Sequence, residues 1–184
     1  MNLPTLQLIK PLPTLESEYL ALVEEILTQG DHAVYGCLQY TAGKFLAADR
    51  DYSLFCRNLL NEESTEELPS DRAPQTTFWL VRNDGKIIGE SRLRHYLTPP
   101  LEIEGGHIGY AIRPSERQKG YGTRLLAMTL DKARDLGLSR VLVTCDTDNL
   151  ASARIIRKNG GILSDEAISP RTGEPIARYW IELE

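Results

Sequence analysis

Hydrophobic and polar positions follow two periods along this chain, and the switches between them mark its elements. Runs rich in apolar and β-branched residues at 6–9, 76–82, 87–96, 107–112, 140–144, 162–168 and 175–183 predict strands. Helical spacing governs Leu20, Val23, Ile26 and Leu27, with Thr14 or Ser17 as the cap and Gly30 as the stop. Residues 31–43 are irregular. A second helix is expected over 47–60, with Tyr52, Phe55, Cys56 and Leu59 on one face. The acidic stretch 61–75 and the proline-bearing stretch 97–104 read as loops. Asn83-Asp84-Gly85-Lys86 is a hairpin turn, and Gly89 marks a bulge in the returning strand. Two further helices end at Gly137 and at Asn159-Gly160; the later one starts at Asp148 or Asn149. A turn at 169–173 joins the last two strands. The order is strand, two helices, three strands, helix, strand, helix, two strands. It predicts a mixed α/β layer with one continuous sheet and a right-handed parallel crossover from His107 to Thr144.

Length and composition narrow the class. The 184 residues suit a single domain spanning 1–184, with 41% apolar and 26% charged residues. A net charge of −5 argues against a nucleic-acid binder, which would carry a basic stripe. Cys37, Cys56 and Cys145 are odd in number and far apart, as expected of free thiols in a reducing compartment. With His32, His95 and His107 equally scattered, no metal site is expected. No stretch resembles a signal peptide or membrane span, so a cytoplasmic protein with no membrane partner is expected.

One stretch carries chemistry. Between the strand at 107–112 and the helix ending at Gly137 lies Arg113-Pro114-Ser115-Glu116-Arg117-Gln118-Lys119-Gly120-Tyr121-Gly122-Thr123. A strand-to-helix turn with two glycines and several cations gathers unpaired N–H groups and a helix dipole, which suits a phosphate. A P-loop would need Lys-Ser/Thr after the glycine, but Thr123-Arg124 follows Gly122. A dinucleotide fingerprint would need a third glycine where Leu125 stands.

Arg117-Gln118-Lys119-Gly120-Tyr121-Gly122 resembles the Arg/Gln-x-x-Gly-x-Gly/Ala signature of the GCN5-related N-acetyltransferase (GNAT) superfamily. Ile112-Arg113-Pro114 before it and Asn149 after it fit the same likeness, which covers residues 106–160. The resemblance implies a mostly antiparallel sheet with a central splayed parallel pair and helices on both faces. It implies acetyl-CoA as co-substrate, with the pyrophosphate on backbone N–H groups of Gln118, Lys119, Gly120, Tyr121, Gly122 and Thr123. Gly120 and Gly122 would keep side chains from blocking that approach, and Arg117 and Lys119 would assist. Pantetheine would lie along Tyr110, Ala111 and Ile112 and meet Asn149. An amine would attack the thioester directly, with an oxyanion held by a strand N–H.

The family's general acid, a Tyr seven residues after the Asn, is replaced by Ile156; Ser152 and Cys145 are the nearest substitutes by position. Family members with a Glu base carry it where Gly106 stands, flanked by Glu104 and His107, which become the candidate catalytic groups; Glu90 and His95 rank behind them. Acidic segments at 62–71 and 101–104 would attract a cationic amine, on a small molecule or a protein. The resemblance also suggests a homodimer through the closing strands. A non-catalytic acyl-CoA-binding module or sensor and a transferase of longer acyl groups are the alternatives.

Overall fold

The computed structural model describes residues 5–28, 37–64, 68 and 72–183. Gly30, His32 and most of the acidic run at 65–71 lie outside them.

Along the described chain run β1 (Leu6–Ile9), α1 (Glu16–Thr28), α2 (Cys37–Ala47), α3 (Tyr52–Asn61), β2 (Gln75–Arg82), β3 (Ile87–Arg94) and α4 (Pro99–Ile103). They are followed by β4 (Ile108–Ile112), α5 (Tyr121–Asp135), β5 (Arg140–Asp146), α6 (Leu150–Lys158), β6 (Ile162–Ile168) and β7 (Pro175–Glu182). The strands form two sheets, ordered β1-β2-β3-β4 and β5-β7-β6, and every ladder is antiparallel. The expectation of one continuous sheet is corrected here. β4 and β5 are neighbours, yet they share no ladder; three residues, Gly105 to His107, make the joint.

Side-chain alternation in β2 explains the layers. Trp79 and Val81 face α1, α2 and α3, where Tyr19, Phe45 and Phe55 close around them. Phe78 and Leu80 face the other way, toward α5. Both faces are covered, so β2 is buried almost throughout. Trp79 has no exposed surface, and truncating such a residue costs roughly 3–5 kcal/mol.

The helix boundaries have local causes. What reads as one helix over 47–60 is two. Asp49 and Arg50 take positive φ (52° and 60°), and Asp51 caps α3 by accepting from Leu54 N at 2.9 Å. The irregular 31–43 stretch holds the first turns of α2, whose buried stripe is Leu38, Ala42 and Phe45. Pro99 opens α4 at a first-turn position, where its missing N–H costs nothing. Gly137 (φ 87°) ends α5 as expected: its N–H bonds to Arg134 O and that of Leu138 to Ala133 O. The bulge at Gly89 is present, with a register shift opposite Leu80 and Val81. A Cβ at Gly89 would lie 2.6 Å from Ala111 O.

Candidate active site

The glycine loop reaches α5 through two left-handed residues, Gln118 (φ 63°) and Gly120 (φ 81°). None of the backbone N–H groups of Gln118 to Thr123 enters a turn, loop or cap hydrogen bond among the described residues. With the positive end of α5 behind them, these donors are of the kind that suits an anion. Within the protein itself the two glycines answer different needs. Nothing lies within 4 Å of a Cβ added at Gly120, whose requirement is its backbone angle; at Gly122 a Cβ would meet Ile155 Cδ1 at 2.7 Å, so that glycine lets α5 pack on α6.

The loop is braced by acids. Buried Glu116 accepts from Lys86 Nζ at 2.7 Å and from Lys119 Nζ at 2.9 Å, with Arg82 alongside at 3.4 Å. Burial pushes the Glu116 carboxyl up, and the two lysines outweigh it, holding it at about 2. Upstream, Glu25 of α1 accepts from Ser115 N at 2.7 Å and Arg113 Nε at 2.6 Å, while Arg113 also pairs with Glu18. Lys119 is thus anchored beside the anion site, and Arg117 Nε donates to Ile112 O at 3.3 Å.

From this loop a gap opens between β4 and β5. Arg113 N bonds Ile88 O, and His107 O accepts from Arg94 N. With period-two alternation, the N–H and C=O groups of Ile108, Tyr110 and Ile112 therefore face the gap, whereas Ala111 turns its backbone to β3. Ala111 does not fit the contact expected of it. A cleft of about 470 Å³ fills the gap, lined on the β5–α6 side by Thr144, Cys145, Asp146, Asn149 and Ser152. Asn149 caps α6, accepting from Ser152 N at 3.0 Å. Tyr110 Oη lies 2.8 Å from Ser152 Oγ, joining the two walls. Burial pushes the Cys145 thiol up, against the effect of a hydrogen bond with Ser152, so it is poorly suited to nucleophilic work. Ile156 is fully buried in the core.

The candidate proton acceptors separate. His107 N donates to Leu142 O at 2.7 Å, and its Nδ1 accepts from Leu142 N at 2.9 Å. The imidazole takes the place of a strand carbonyl and is buried against Trp180. Burial, with Arg94 and Arg140 nearby, pushes its pKa down to about 4. With Nδ1 engaged, the ring is a clamp between β4 and β5 and does not fit the base assignment. Gly106 has φ 59°, and a Cβ there would sit 2.4 Å from Leu142 O, so a glutamate is sterically barred. Glu104 lines the cleft, accepting from Ser169 Oγ at 2.6 Å and Arg171 at 3.0 Å. His95 pairs with Thr76 Oγ1 at 3.0 Å, away from the cleft lining. Glu90 is wholly buried under the sheet, accepting from Trp79 Nε1 and Thr41 Oγ1, both at 3.1 Å. Burial pushes its pKa up to about 7, against the pull of Arg92.

Sequence reasoning missed the outer lining: Tyr40, Arg92, Arg94 and Arg171. A signal existed. Glu90, Arg92 and Arg94 share one face of β3 by alternation, and three ionisable residues on one face of a strand buried on both sides call for partners.

Three comparisons fit this geometry. A family model described as an acetyltransferase (GNAT) domain matches residues 39–162. An amino-acid acetyltransferase of Neisseria meningitidis is 37% identical over 65 residues, which is 35% of this chain and only 14% of that protein's length. Among solved structures, RimL, a ribosomal alpha-N-protein acetyltransferase in complex with coenzyme A, superposes with a TM-score of 0.65 at 18% identity, covering 97% of this chain and 94% of the other. The acetyltransferase yncA of Salmonella typhimurium, solved with acetyl-CoA, gives 0.58 at 15% identity over 97% and 94%. No described helix is long and apolar enough to cross a membrane.

Proposed function

The chain belongs to the acetyltransferase (GNAT) domain family, and from that premise we propose that it moves the acetyl group of acetyl-CoA directly onto a primary amine. One observation carries the reading. The N–H groups at the start of α5 make no turn, loop or cap hydrogen bond among the described residues, and they follow directly in the chain on β4, whose outer edge makes no ladder with β5; a phosphate site next to a slot for an extended arm accounts for both. The described residues fit that donor, with Asn149 and Ser152 on the facing wall.

The donor supplies an activated acetyl thioester. As the C–N bond forms and the C–S bond breaks, the amine sheds a proton and the sulfur gains one. An N–H of the open β4 edge, from Ile108 or Tyr110, suits the negative charge that develops on the carbonyl oxygen. The hydroxyl pair Tyr110–Ser152 supplies the proton to sulfur. A phenol from β4 thereby stands in for the phenol that α6 lacks at Ile156. Glu104, one of the two carboxylates in the cleft and the one held in place by Ser169 and Arg171, takes the amine proton. The curated relatives match over 14% of their length, so the acceptor is read from the cleft itself.

The test is acetyl-CoA binding by calorimetry together with thiol release over a panel of amines. Gly120→Glu, which puts a carboxylate at the anion site, removes binding; unchanged binding would move the donor site elsewhere. Ser152→Ala and Tyr110→Phe lower kcat about 100-fold with little change in the Kd for acetyl-CoA. Full activity in both variants would remove the hydroxyl pair from the mechanism. Tight acetyl-CoA binding with no thiol release on any amine would identify a non-catalytic acyl-CoA module. Faster turnover with longer acyl-CoAs would identify a different donor.

A further inference from the structure

The acidic segments pointed to a cationic acceptor, yet three of their four described carboxylates, all but Glu102, are engaged. Glu62 pairs with Lys44 and accepts from Gln75, Glu63 pairs with Lys10, and Glu104 pairs with Arg171. Three arginines line the acceptor side of the cleft: Arg171 is paired with Glu104, and Arg92 and Arg94 stand beside that pair, with Asp146 as the second carboxylate of the lining.

Two of those arginines are built in. Alternation along β3 puts Arg92 and Arg94 on the same face. Arg92 is only 8% exposed, and its guanidinium lies 4.0 Å above the Tyr40 ring, which fixes its plane. Arg94 Nη1 donates to Gly105 O at 2.9 Å and Gly106 O at 2.8 Å, the two carbonyls at the β4–β5 joint. A guanidinium already held in place loses little freedom on binding an anion, and partial burial strengthens the attraction. Arg92 stands opposite Gly109, and Gly109 lies between Ile108 and Tyr110, two of the β4 residues whose N–H groups face the gap. An anion at the arginines is therefore within the span of a small molecule whose amine is at the gap.

We propose that the acceptor is a small amine bearing its own carboxylate, of amino-acid size, with the carboxylate held by Arg92 and Arg94 and the amine on the Glu104 side of the cleft. This rests on the acetyltransferase reading above. Two guanidinium groups side by side repel a polyamine and attract a carboxylate.

The experiment uses the full chain with acetyl-CoA. L-Alanine and L-leucine are compared with their α-carboxamides, with phosphoethanolamine and with spermidine, by thiol release. The carboxylate-bearing member of each pair is favoured at least 10-fold in kcat/KM. Arg94→Gln and Arg92→Gln reduce that ratio to near one, while Arg94→Lys restores part of it. If Arg92→Gln does not fold, Arg94→Gln alone carries the comparison. Equal use of acid and amide, or preference for spermidine or phosphoethanolamine, would overturn the carboxylate clamp and leave the acetyltransferase intact. In parallel, calorimetry measures binding of L-glutamate and N-acetyl-L-glutamate to the coenzyme A-loaded protein. Binding that weakens 10-fold or more in Arg94→Gln supports the clamp even if no amine is turned over, in which case the acetyltransferase reading alone fails. Absence of binding by both probes, together with absence of carboxylate preference in turnover, overturns the clamp.

Discussion

His107 illustrates how one side chain can be read two ways. Its residue type suits proton transfer, and its position just before the fourth strand made it a candidate base. Its imidazole instead closes the strand joint through Leu142. A folded pKa of about 4, below the ordinary 6.5, means the folded state resists protonation. The stability it contributes is intact above pH 6.5 and is lost as pH falls toward 4, to the extent of about 3 kcal/mol. Glu90 has the opposite sign. Its folded pKa of about 7 lies above the ordinary 4.5, so its contribution is present below pH 4.5 and lost as pH rises through 7. Urea unfolding against pH checks both. His107→Phe flattens the acid-side loss between pH 6.5 and 4. Glu90→Gln, which keeps shape and removes the charge, stabilises at pH 8 by on the order of 1–3 kcal/mol and is near neutral at pH 4.5. A wild-type acid-side slope that survives His107→Phe would mean that another group carries it.

At the scale of elements, strand positions were legible because period-two alternation survives in short segments. The glycine loop was legible because backbone geometry and helix start coincide in a few residues. The break between α2 and α3 was not. It depends on left-handed Asp49 and Arg50, residue types that carry no turn signature as strong as glycine, and the apolar face of α3 masked it. Two sheets were read as one because strand pairing is a tertiary property: β4 and β5 have ordinary strand sequences, and the gap arises from Gly105, Gly106 and His107. In the site, the glycine loop between β4 and α5 was readable in the residues themselves, whereas the arginines became visible only once β3 had an orientation. The separate causes of the two loop glycines can be measured. Gly120→Ala places a Cβ on a left-handed residue, costs about 1 kcal/mol and weakens acetyl-CoA binding. Gly122→Ala meets only the flexible end of Ile155, so its effect falls on the α5–α6 packing and its loss of binding is smaller. Equal effects on acetyl-CoA affinity in the two variants would contradict this division.

For the molecule as a whole, two antiparallel sheets meet at the joint formed by Gly105, Gly106 and His107, and α1 is tied across to the glycine loop through Glu25, Arg113 and Ser115. Ligand binding in the gap should then stiffen both sheets together. Hydrogen exchange with and without acetyl-CoA is expected to slow at Ile108, Tyr110 and Ile112, whose N–H groups face the gap, and not at Ala111, which β3 already protects. At 100 times the Kd, acetyl-CoA adds about 2.7 kcal/mol to the unfolding free energy, read as a rise in Tm.

The gap has one further consequence. An unpaired strand edge is a template for adhesion between molecules, and proteins usually blunt such edges with charge, proline or cover. Here the open edge of β4 looks onto β5 across a narrow slot, with Tyr110 and Ser152 fastened across it. Each edge screens the other from foreign strands. The slot admits an extended, thin chain and excludes a sheet, so the same separation that makes room for a donor also guards these two edges against pairing with another molecule.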